Sequence, residues 1–463
     1  MTELPFQLSI KTYEPKQQER SVLCKRLLRS IKGVRSVYDA IWGQKEVIVK
    51  IFSDRLNAAR HLKREWDGFN RLRELGIDCP QPLFFGKTPD GSCAIVTEKI
   101  GDSTTALDIF EKAESKDEKL NILILIVKHL AGQNDKGVYQ NDFHLGNFLV
   151  WEGKVYAIDP AQMRFYSRKL PKAESISQLA LAACCLYQYD ADYIRRLAQS
   201  YYDEREWEFE EKDITVLLEA MRRHRKTQVK KGLKKTLRTS KRQVLIKKKG
   251  LRAVFEKGFA ENIEPEDFIE GIDSLMDSGR VLKKGNTCYV SQLRYNGKDI
   301  VIKRYNYKGF IHSVRNTIKG SRARRGWLFG HLMGMLGAAT PKPLAFIEKR
   351  RGRLIVKSYF ITEFVEGTKL CDLLKDSQVS EQKRRQVKQQ VIGQLDRLAD
   401  YRITHGDLKH TNIIVTDKGV VLSDLDSMQI HKTAFTYKLY RTKDISLFAH
   451  GKRDGDLIFD DLI

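Results

Sequence analysis

The most constraining feature of this 463-residue chain is a pattern of polar residues that occurs twice. Each copy contains an aspartate, an asparagine five positions later, an apolar strand, a turn, a second apolar strand and a final aspartate. A glutamate precedes each copy at the same separation. The equivalent pairs are Glu98 and Glu363, Asp142 and Asp407, Asn147 and Asn412, and Asp159 and Asp424. Four positions rarely stay in register by chance, so the pattern predicts a tandem duplication of a unit of roughly 200 residues.

The two units also begin alike. Residues 38–50 and 289–303 each predict a hairpin whose last strand ends in a lysine, Lys50 or Lys303, and the second hairpin carries an Asn-Gly turn signal. Helical patterns follow in both units, at 120–131 and 384–400. We therefore predict an α+β protein with two bilobal domains in tandem, residues 1–240 and 241–463. Each domain has a strand-rich first lobe and a helical second lobe.

Composition limits the class of protein and its partners. Lysine and arginine number 83 against 59 acidic residues, which gives a net charge of +24 and favours anionic partners. The seven cysteines form no C-x-x-C pair, a pattern typical of a reducing compartment rather than of a zinc or disulfide framework. We find neither a secretory signal nor an apolar stretch of the ~20 residues that a spanning helix needs. The sequence predicts a soluble, cytoplasmic protein.

The positive charge is concentrated in one stretch, residues 222–257. It contains sixteen lysines and arginines and a single acidic residue, Glu256. Alternating apolar residues between Val244 and Phe255 predict a hairpin within the fold rather than a disordered tail. Three interpretations stay open: a solvated face, a surface for anionic lipid or sugar phosphate, and a nucleic-acid-binding surface. The stretch has no zinc-finger spacing and no aromatic RNA-binding strand, which disfavours nucleic acid.

The repeated residues suit phosphoryl transfer, which requires phosphates to be held, charge to be neutralised and a hydroxyl to be oriented. A lysine at the end of a strand can reach phosphates, and a loop aspartate can accept a proton from the acceptor. Asparagine and aspartate oxygens are suitable ligands for Mg²⁺, and a Cys/His cluster that would favour zinc is absent from the sequence. The candidates are Lys50 and Lys303 for phosphate, Asp142 and Asp407 for the proton, and Asn147, Asp159, Asn412 and Asp424 for the metal.

Together these motifs resemble the protein-kinase-like superfamily, whose signature is H-R-D-x4-N followed by D-F-G. The arginine is replaced by Asn141 and Gly406, which argues against control by activation-loop phosphorylation. The second unit resembles more specifically the lipopolysaccharide core kinases, the Kdo/heptose kinase family. The similar stretches are 301–306, 321–327, 340–344, 359–363 and 422–426 in the second unit, and 142–149 and 234–240 earlier in the chain.

This resemblance implies two protein-kinase-like domains that use ATP and Mg²⁺ to phosphorylate a heptose or Kdo hydroxyl of the lipopolysaccharide inner core. The acceptor, lipid A-core, lies at the inner face of the inner membrane, so the resemblance also implies peripheral contact with that anionic leaflet. It implies an ion pair between Glu65 and Lys50. The position equivalent to Glu65 in the second unit is Gly326. It further assigns phosphate loops to residues 32–36, which contain Gly33, and to residues 284–287, which contain Gly285. It places adenine contacts in the chain after Glu98 and Glu363, and assigns transition-state stabilisation to Lys409, with His144 at the equivalent position.

Activity is a separate question from fold. Both units retain the lysine, two aspartates and the asparagine, so we predict that at least one is active, while the choice between them stays open. The alternative is a non-catalytic pseudokinase that acts as a scaffold or regulator of core assembly.

Overall fold

The described part of the computed structural model covers most of the chain: residues 4–14, 17–31, 33–54, 57–186, 191–307 and 320–449, with 309, 313, 314, 317 and 318. It contains both helices and antiparallel strands, which confirms the predicted α+β class. The chain divides into two compact units, residues 1–225 and 226–463. The boundary lies within the basic stretch 222–257. The assignment of 1–240 and 241–463 as kinase-like domains stays a prediction.

Six strands of the first unit form a closed antiparallel barrel in the order β1-β2-β3-β4-β6-β5. They are β1 (Phe6–Glu14), β2 (Glu19–Ile31), β3 (Arg35–Trp42), β4 (Lys45–Phe52), β5 (Pro82–Lys87) and β6 (Cys93–Glu98). The barrel closes because β1 pairs with β5 as well as β2. Val47 and Val49 of β4 are fully buried. Since side chains alternate along a strand, Lys50 points to the opposite face, toward helix α1 (Ala58–Glu74).

Helices and short strands make up the rest of the first unit. The helices are α2 (Ala106–Lys112), α3 (Lys116–Asp135), α4 (Lys172–Ala183), α5 (Ala191–Glu204) and α6 (Glu211–Lys235), the last of which contains the unit boundary. The strands are β7 (Thr104–Thr105), β8 (Val138–Gln140), β9 (Phe148–Trp151), β10 (Lys154–Ala157) and β11 (Met163–Phe165). Helix α3 begins at a capping box of Ser115 and Glu118, and it contains the predicted helical segment 120–131.

The second unit contains a seven-stranded antiparallel sheet in the order β12-β13-β17-β18-β16-β15-β14. Its strands are β12 (Gln243–Lys248), β13 (Leu251–Glu256), β14 (Arg280–Lys284), β15 (Cys288–Tyr295), β16 (Lys298–Asn306), β17 (Pro343–Arg351) and β18 (Leu354–Glu363). Strands β12 and β13 pair with each other, and β13 also pairs with β17. The predicted basic hairpin therefore exists and forms one edge of this sheet.

The remaining elements of the second unit follow or pack against that sheet. The helices are α7 (Lys257–Ala260), α8 (Pro265–Ser278), α9 (Arg322–Met335), α10 (Leu370–Lys375), α11 (Glu381–Ala399) and α12 (Ala434–Ala449). The short strands are β19 (Thr368–Lys369), β20 (Ile403–Thr404), β21 (Ile413–Thr416), β22 (Gly419–Leu422) and β23 (Gln429–Ile430). Helix α11 corresponds to the predicted helical segment 384–400. Within the described ranges, every helix is too short or too polar to cross a bilayer.

The two lysine-bearing hairpins share one register. In the first unit Lys50 pairs with Val37, and in the second Lys303 pairs with Val290. The turn between β15 and β16 is Asn296-Gly297, whose φ angles of 46° and 78° are the positive values that the sequence signal predicts. The hairpins can therefore be compared position by position.

Candidate active site

The first unit brings four charged side chains together, with Lys50 between two acids. Lys50 Nζ lies 2.6 Å and 2.8 Å from the two carboxylate oxygens of Glu65 and 3.2 Å from Asp159 Oδ1. The side chain of Glu65, on α1, is only 4% exposed. The structure thus forms the Lys50–Glu65 ion pair that the sequence predicts, and it brings the lysine to the distant Asp159. Arg35 Nη1 completes the group, at 3.4 Å from Asp159 Oδ2.

The two acids of this group respond differently to their surroundings. Burial raises the pKa of Glu65 even though Lys50 opposes the shift. Burial also acts to raise the pKa of Asp159, but Lys50 and Arg35 together outweigh it, so the pKa of Asp159 is lowered. Asp159 is therefore an anion held between two cations.

The loop of the first unit places Asp142 at the surface. Asn147 Nδ2 donates to the main-chain oxygen of Asp142 at 3.0 Å. His144 Nδ1 accepts the N–H of Gly146 at 3.0 Å, so this nitrogen carries no proton to offer a phosphate. Among the described residues, no side chain bonds the Asp142 carboxylate. His144 thus caps the turn at 145–147 through this nitrogen.

The second unit places Lys303 next to Asp424, with Nζ 3.1 Å from Oδ1. Burial opposes ionisation of Asp424, but Lys303 lowers its pKa overall. Gly326 on α9 has no side chain to pair with the lysine. A Cβ there would meet the Phe360 ring at 2.9 Å, so the packing explains why an acid is excluded from this position.

A second ion pair links α9 to the loop after Asp424. Arg322 donates from Nε at 3.1 Å and from Nη2 at 2.9 Å to Asp426 Oδ2, and Asp426 is 3% exposed. The guanidinium also lies over the ring of the buried Tyr305, 4.7 Å from its centroid. Sequence reasoning missed this pair. Helix α1 of the first unit forms an ion pair with the strand lysine, Lys50. Helix α9 of the second unit instead forms an ion pair with the loop that follows Asp424.

In the second unit, the carboxylate of Asp407 has side-chain partners that the equivalent Asp142 of the first unit lacks among the described residues. Lys409 Nζ lies 2.6 Å from Asp407 Oδ1, and Asn412 Nδ2 donates to the main-chain oxygen at 2.9 Å and to Oδ2 at 3.2 Å. The Asp407 side chain is 31% exposed and thus accessible to a small acceptor group. Three of the predicted residues therefore meet directly.

Asp159 and Asp424 share a left-handed backbone conformation. Their φ and ψ angles are 62° and 51°, and 60° and 53°, respectively. This conformation costs a residue with a Cβ on the order of 1 kcal/mol, and such strain is concentrated at functional sites. The main chain also brings each metal candidate near its partner: Ile158 N–H donates to Asn147 O at 2.9 Å, and Ser423 N–H to Asn412 O at 2.8 Å.

Two further residues that sequence reasoning missed anchor these loops. Asp444 on α12 accepts the N–H groups of His405 and Gly406 at 2.6 Å and 2.8 Å. Burial raises the pKa of Asp444, and the two donors oppose that shift. The first unit uses a neutral amide instead, because Gln178 on α4 exchanges two hydrogen bonds with the main chain of Gln140, at 3.1 Å and 2.6 Å.

The other candidates lie at strand ends and turns. Glu98 and Glu363 end β6 and β18, and each donates its N–H to a residue just before the preceding strand, Gln81 O at 2.9 Å and Lys342 O at 3.0 Å. Gly33 lies in the β2–β3 turn with φ of 71°, and Gly285 follows β14. The proposed first loop also includes Lys32, which lies outside the described residues. Nucleotide contact at these positions stays a prediction.

The oxygen donors of the second unit fit a magnesium ion. Among the described residues, no cation contacts Asp424 Oδ2, and the amide of Asn412 donates through nitrogen only, which leaves its oxygen for a ligand. Within the same residues no cluster of three or more His, Cys, Asp or Glu forms a metal site. One carboxylate, one amide oxygen and substrate phosphates are a usual set for Mg²⁺.

Part of the second unit matches a known protein family. Residues 276–440 match the model of the lipopolysaccharide kinase (Kdo/WaaP) family. The matched span contains Lys303, Asp407, Lys409, Asn412 and Asp424. A search of curated proteins found no matching sequence. The second unit is therefore similar to a kinase family over the residues that form its candidate site.

Proposed function

We propose that this protein is an ATP-dependent kinase that transfers the γ-phosphate to a heptose or Kdo hydroxyl of the lipopolysaccharide inner core. The observation that carries the proposal is the arrangement in the second unit. Asp407 is held by Lys409 and Asn412 within the same span that contains the Lys303–Asp424 pair and matches the lipopolysaccharide kinase family. A protein-kinase-like fold in tandem duplication is part of this proposal.

The candidate residues of the second unit have distinct roles in the transfer. Lys303 turns from Asp424 to the nucleotide phosphates, and Asp407 orients the sugar hydroxyl and accepts its proton. Lys409 orients the carboxylate of Asp407, which lies 2.6 Å from its Nζ, and screens the transferred phosphoryl group. Asn412 and Asp424 would hold Mg²⁺, which when bound neutralises charge on the phosphates. Arg322 and Asp426 fix the loop that carries Asp424.

The charge of the second unit suits a membrane-anchored, polyanionic acceptor. Every lysine and arginine between residues 226 and 249 is exposed, along the end of α6 and on the β12–β13 hairpin. Phosphorylated lipid A-core and an anionic leaflet are both attracted to such a surface, at about 1 kcal/mol per cation near the bilayer. We therefore place the protein at the inner face of the inner membrane as a peripheral protein.

The proposal predicts acceptor-dependent transfer of label from γ-labelled ATP. With lipid A-core in mixed micelles, label should enter the core sugar, and a general protein substrate such as casein should stay unlabelled. Lys303→Met should remove most of this transfer because the phosphates lose their cation, while Lys418→Met, at an exposed turn of the same unit, should leave it unchanged. A protein that binds lipid A-core but transfers no label to it would instead be the scaffold.

A further inference from the structure

The two loop aspartates share a backbone conformation but have different cation partners. Asp159 has both oxygens engaged, Oδ1 by Lys50 at 3.2 Å and Oδ2 by Arg35 at 3.4 Å. Asp424 has Oδ1 engaged by Lys303 at 3.1 Å, and in the described part of the chain no cation contacts its Oδ2. The cation partners of the two aspartates thus differ by one guanidinium.

The shared hairpin register shows where this guanidinium comes from. Arg35 pairs with Phe52 across the β3–β4 hairpin, and Cys288 pairs with Tyr305 at the same position of the β15–β16 hairpin. The second unit therefore has a neutral thiol where the first has Arg35. Burial raises the pKa of Cys288, which keeps this thiol protonated.

The nearby arginine of the second unit is drawn away from the metal position. Arg322 is bound in a two-donor contact by Asp426, two residues beyond Asp424. The residue two positions beyond Asp159 is Ala161, which has no charge to hold an arginine. Arg35 consequently rests on Asp159 itself.

This arrangement does not fit a divalent metal in the first unit. Mg²⁺ needs free carboxylate oxygens, and to reach Asp159 it would have to displace one cation and lie beside another. The Lys50 and Arg35 side chains are only 13% and 20% exposed, so solvent screens that repulsion weakly. The loop differs as well: His144 Nδ1 accepts the Gly146 N–H, whereas Lys409 at the equivalent position of the second unit lies 2.6 Å from Asp407 Oδ1.

We propose that the first unit binds the polyphosphate of a nucleotide without a divalent metal, with the Arg35 guanidinium on Asp159 in the place of the ion. This inference rests on the proposed kinase function. A guanidinium has five N–H donors in a planar fork, so it can keep Asp159 on one edge and present the other to phosphate oxygens. Lys50 supplies the second cation. The guanidinium of Arg35 carries one positive charge and therefore neutralises less of the phosphate charge than Mg²⁺ would. The first unit consequently holds the nucleotide without transferring phosphate.

The test measures ATP binding by calorimetry on the full chain, with the second unit disabled by Lys303→Met and Asp424→Asn. Binding to this chain should persist in excess EDTA, with a Kd within about threefold of that in Mg²⁺, because a guanidinium already neutralises Asp159. Arg35→Gln should weaken binding in EDTA by about 10-fold or more, since charged hydrogen bonds are lost. Added Mg²⁺ should restore part of this loss, because Asp159 Oδ2 is then free.

Two further variants keep the test decisive. Arg29→Gln removes the same charge from an exposed position of β2 and should leave binding unchanged. Arg35→Lys, which keeps the charge without the planar fork, should retain partial binding in EDTA. Thermal melts of each variant exclude unfolding as a cause.

Binding that requires Mg²⁺, that is undetectable with or without it, or that survives Arg35→Gln in EDTA would overturn the inference. Transfer by the wild-type chain is measured separately, so the proposed function can stand or fall independently.

Discussion

Replacing Asp407 with asparagine is expected to lower kcat for phosphate transfer by about 10²–10⁴-fold, the usual effect of losing a general base. The amide is nearly isosteric but accepts no proton and does not attract Lys409, which lies 2.6 Å from the carboxylate. The KM for ATP should change little, because Lys303 and Asp424 remain in place. Steady-state kinetics with a core oligosaccharide acceptor and labelled ATP would measure both constants.

The matched control is Asp142→Asn in the first unit. Asp142 occupies the equivalent position but is exposed, and within the described residues its carboxylate has no side-chain partner. We expect this variant to keep wild-type turnover. Equal losses in the two variants would mean that both units transfer phosphate, and a loss confined to Asp142→Asn would move the reaction to the first unit.

Replacing Arg322 with methionine is expected to destabilise the second unit by about 3 kcal/mol, because removal of one partner leaves a buried charge uncompensated. Asp426 is 3% exposed and Arg322 is 32% exposed. The remaining carboxylate would therefore be buried without its cation. Asp426→Asn should cost less, since the remaining guanidinium can reach water. Chemical denaturation followed by tryptophan fluorescence would measure the two effects, with Trp327 of α9 reporting on the second unit.

Two controls separate this pair from ordinary surface charge. Arg196→Met breaks the exposed pair with Asp117 and should cost less than about 1 kcal/mol. The double variant Arg322→Met/Asp426→Leu should recover much of the lost stability, because an apolar pair of similar size replaces the buried ions. If Arg322→Met were no more harmful than Arg196→Met, the pair would not hold the loop.

The sequence predicts the parts of the site that repeat. Asp159 stands out because its spacing to Asp142 and Asn147 recurs around Asp424. Lys50 stands out because a lysine ends the last predicted strand of the hairpin in both units, whereas Glu65 has no acidic counterpart and follows only from the family resemblance. The hairpins follow from local signals such as Asn296-Gly297, whose positive φ angles the turn requires. Local chemistry and internal repetition therefore carry most of the prediction.

What the sequence does not predict depends on pairing between distant residues. The sequence places Arg35 in a candidate phosphate loop, and its contact with Asp159 follows only from the strand register. Asp444 follows the last repeated motif in the sequence. Only the folded structure shows that its carboxylate accepts the N–H of Gly406, as the side chain of Gln178 accepts the N–H of Gln140. Alignment of Arg35 with Cys288 would have revealed the asymmetry.

The closure of the first sheet was also beyond the sequence. The barrel depends on β1 pairing with β5, strands far apart in the chain and without a distinctive turn between them. The second unit has a seven-stranded sheet instead, although its central hairpin has the same register. Shared local patterns thus fix the hairpin and the lysine, while distant strand pairing decides the form of the sheet.

The central claim is that the second unit carries the transfer, and the most direct test compares Asp424→Asn with Asp159→Asn. Each variant removes one carboxylate charge from an equivalent position, and transfer of label from γ-labelled ATP to lipid A-core is the readout. We predict that Asp424→Asn loses transfer and that Asp159→Asn retains it. Retained transfer in Asp424→Asn together with its loss in Asp159→Asn would contradict the account.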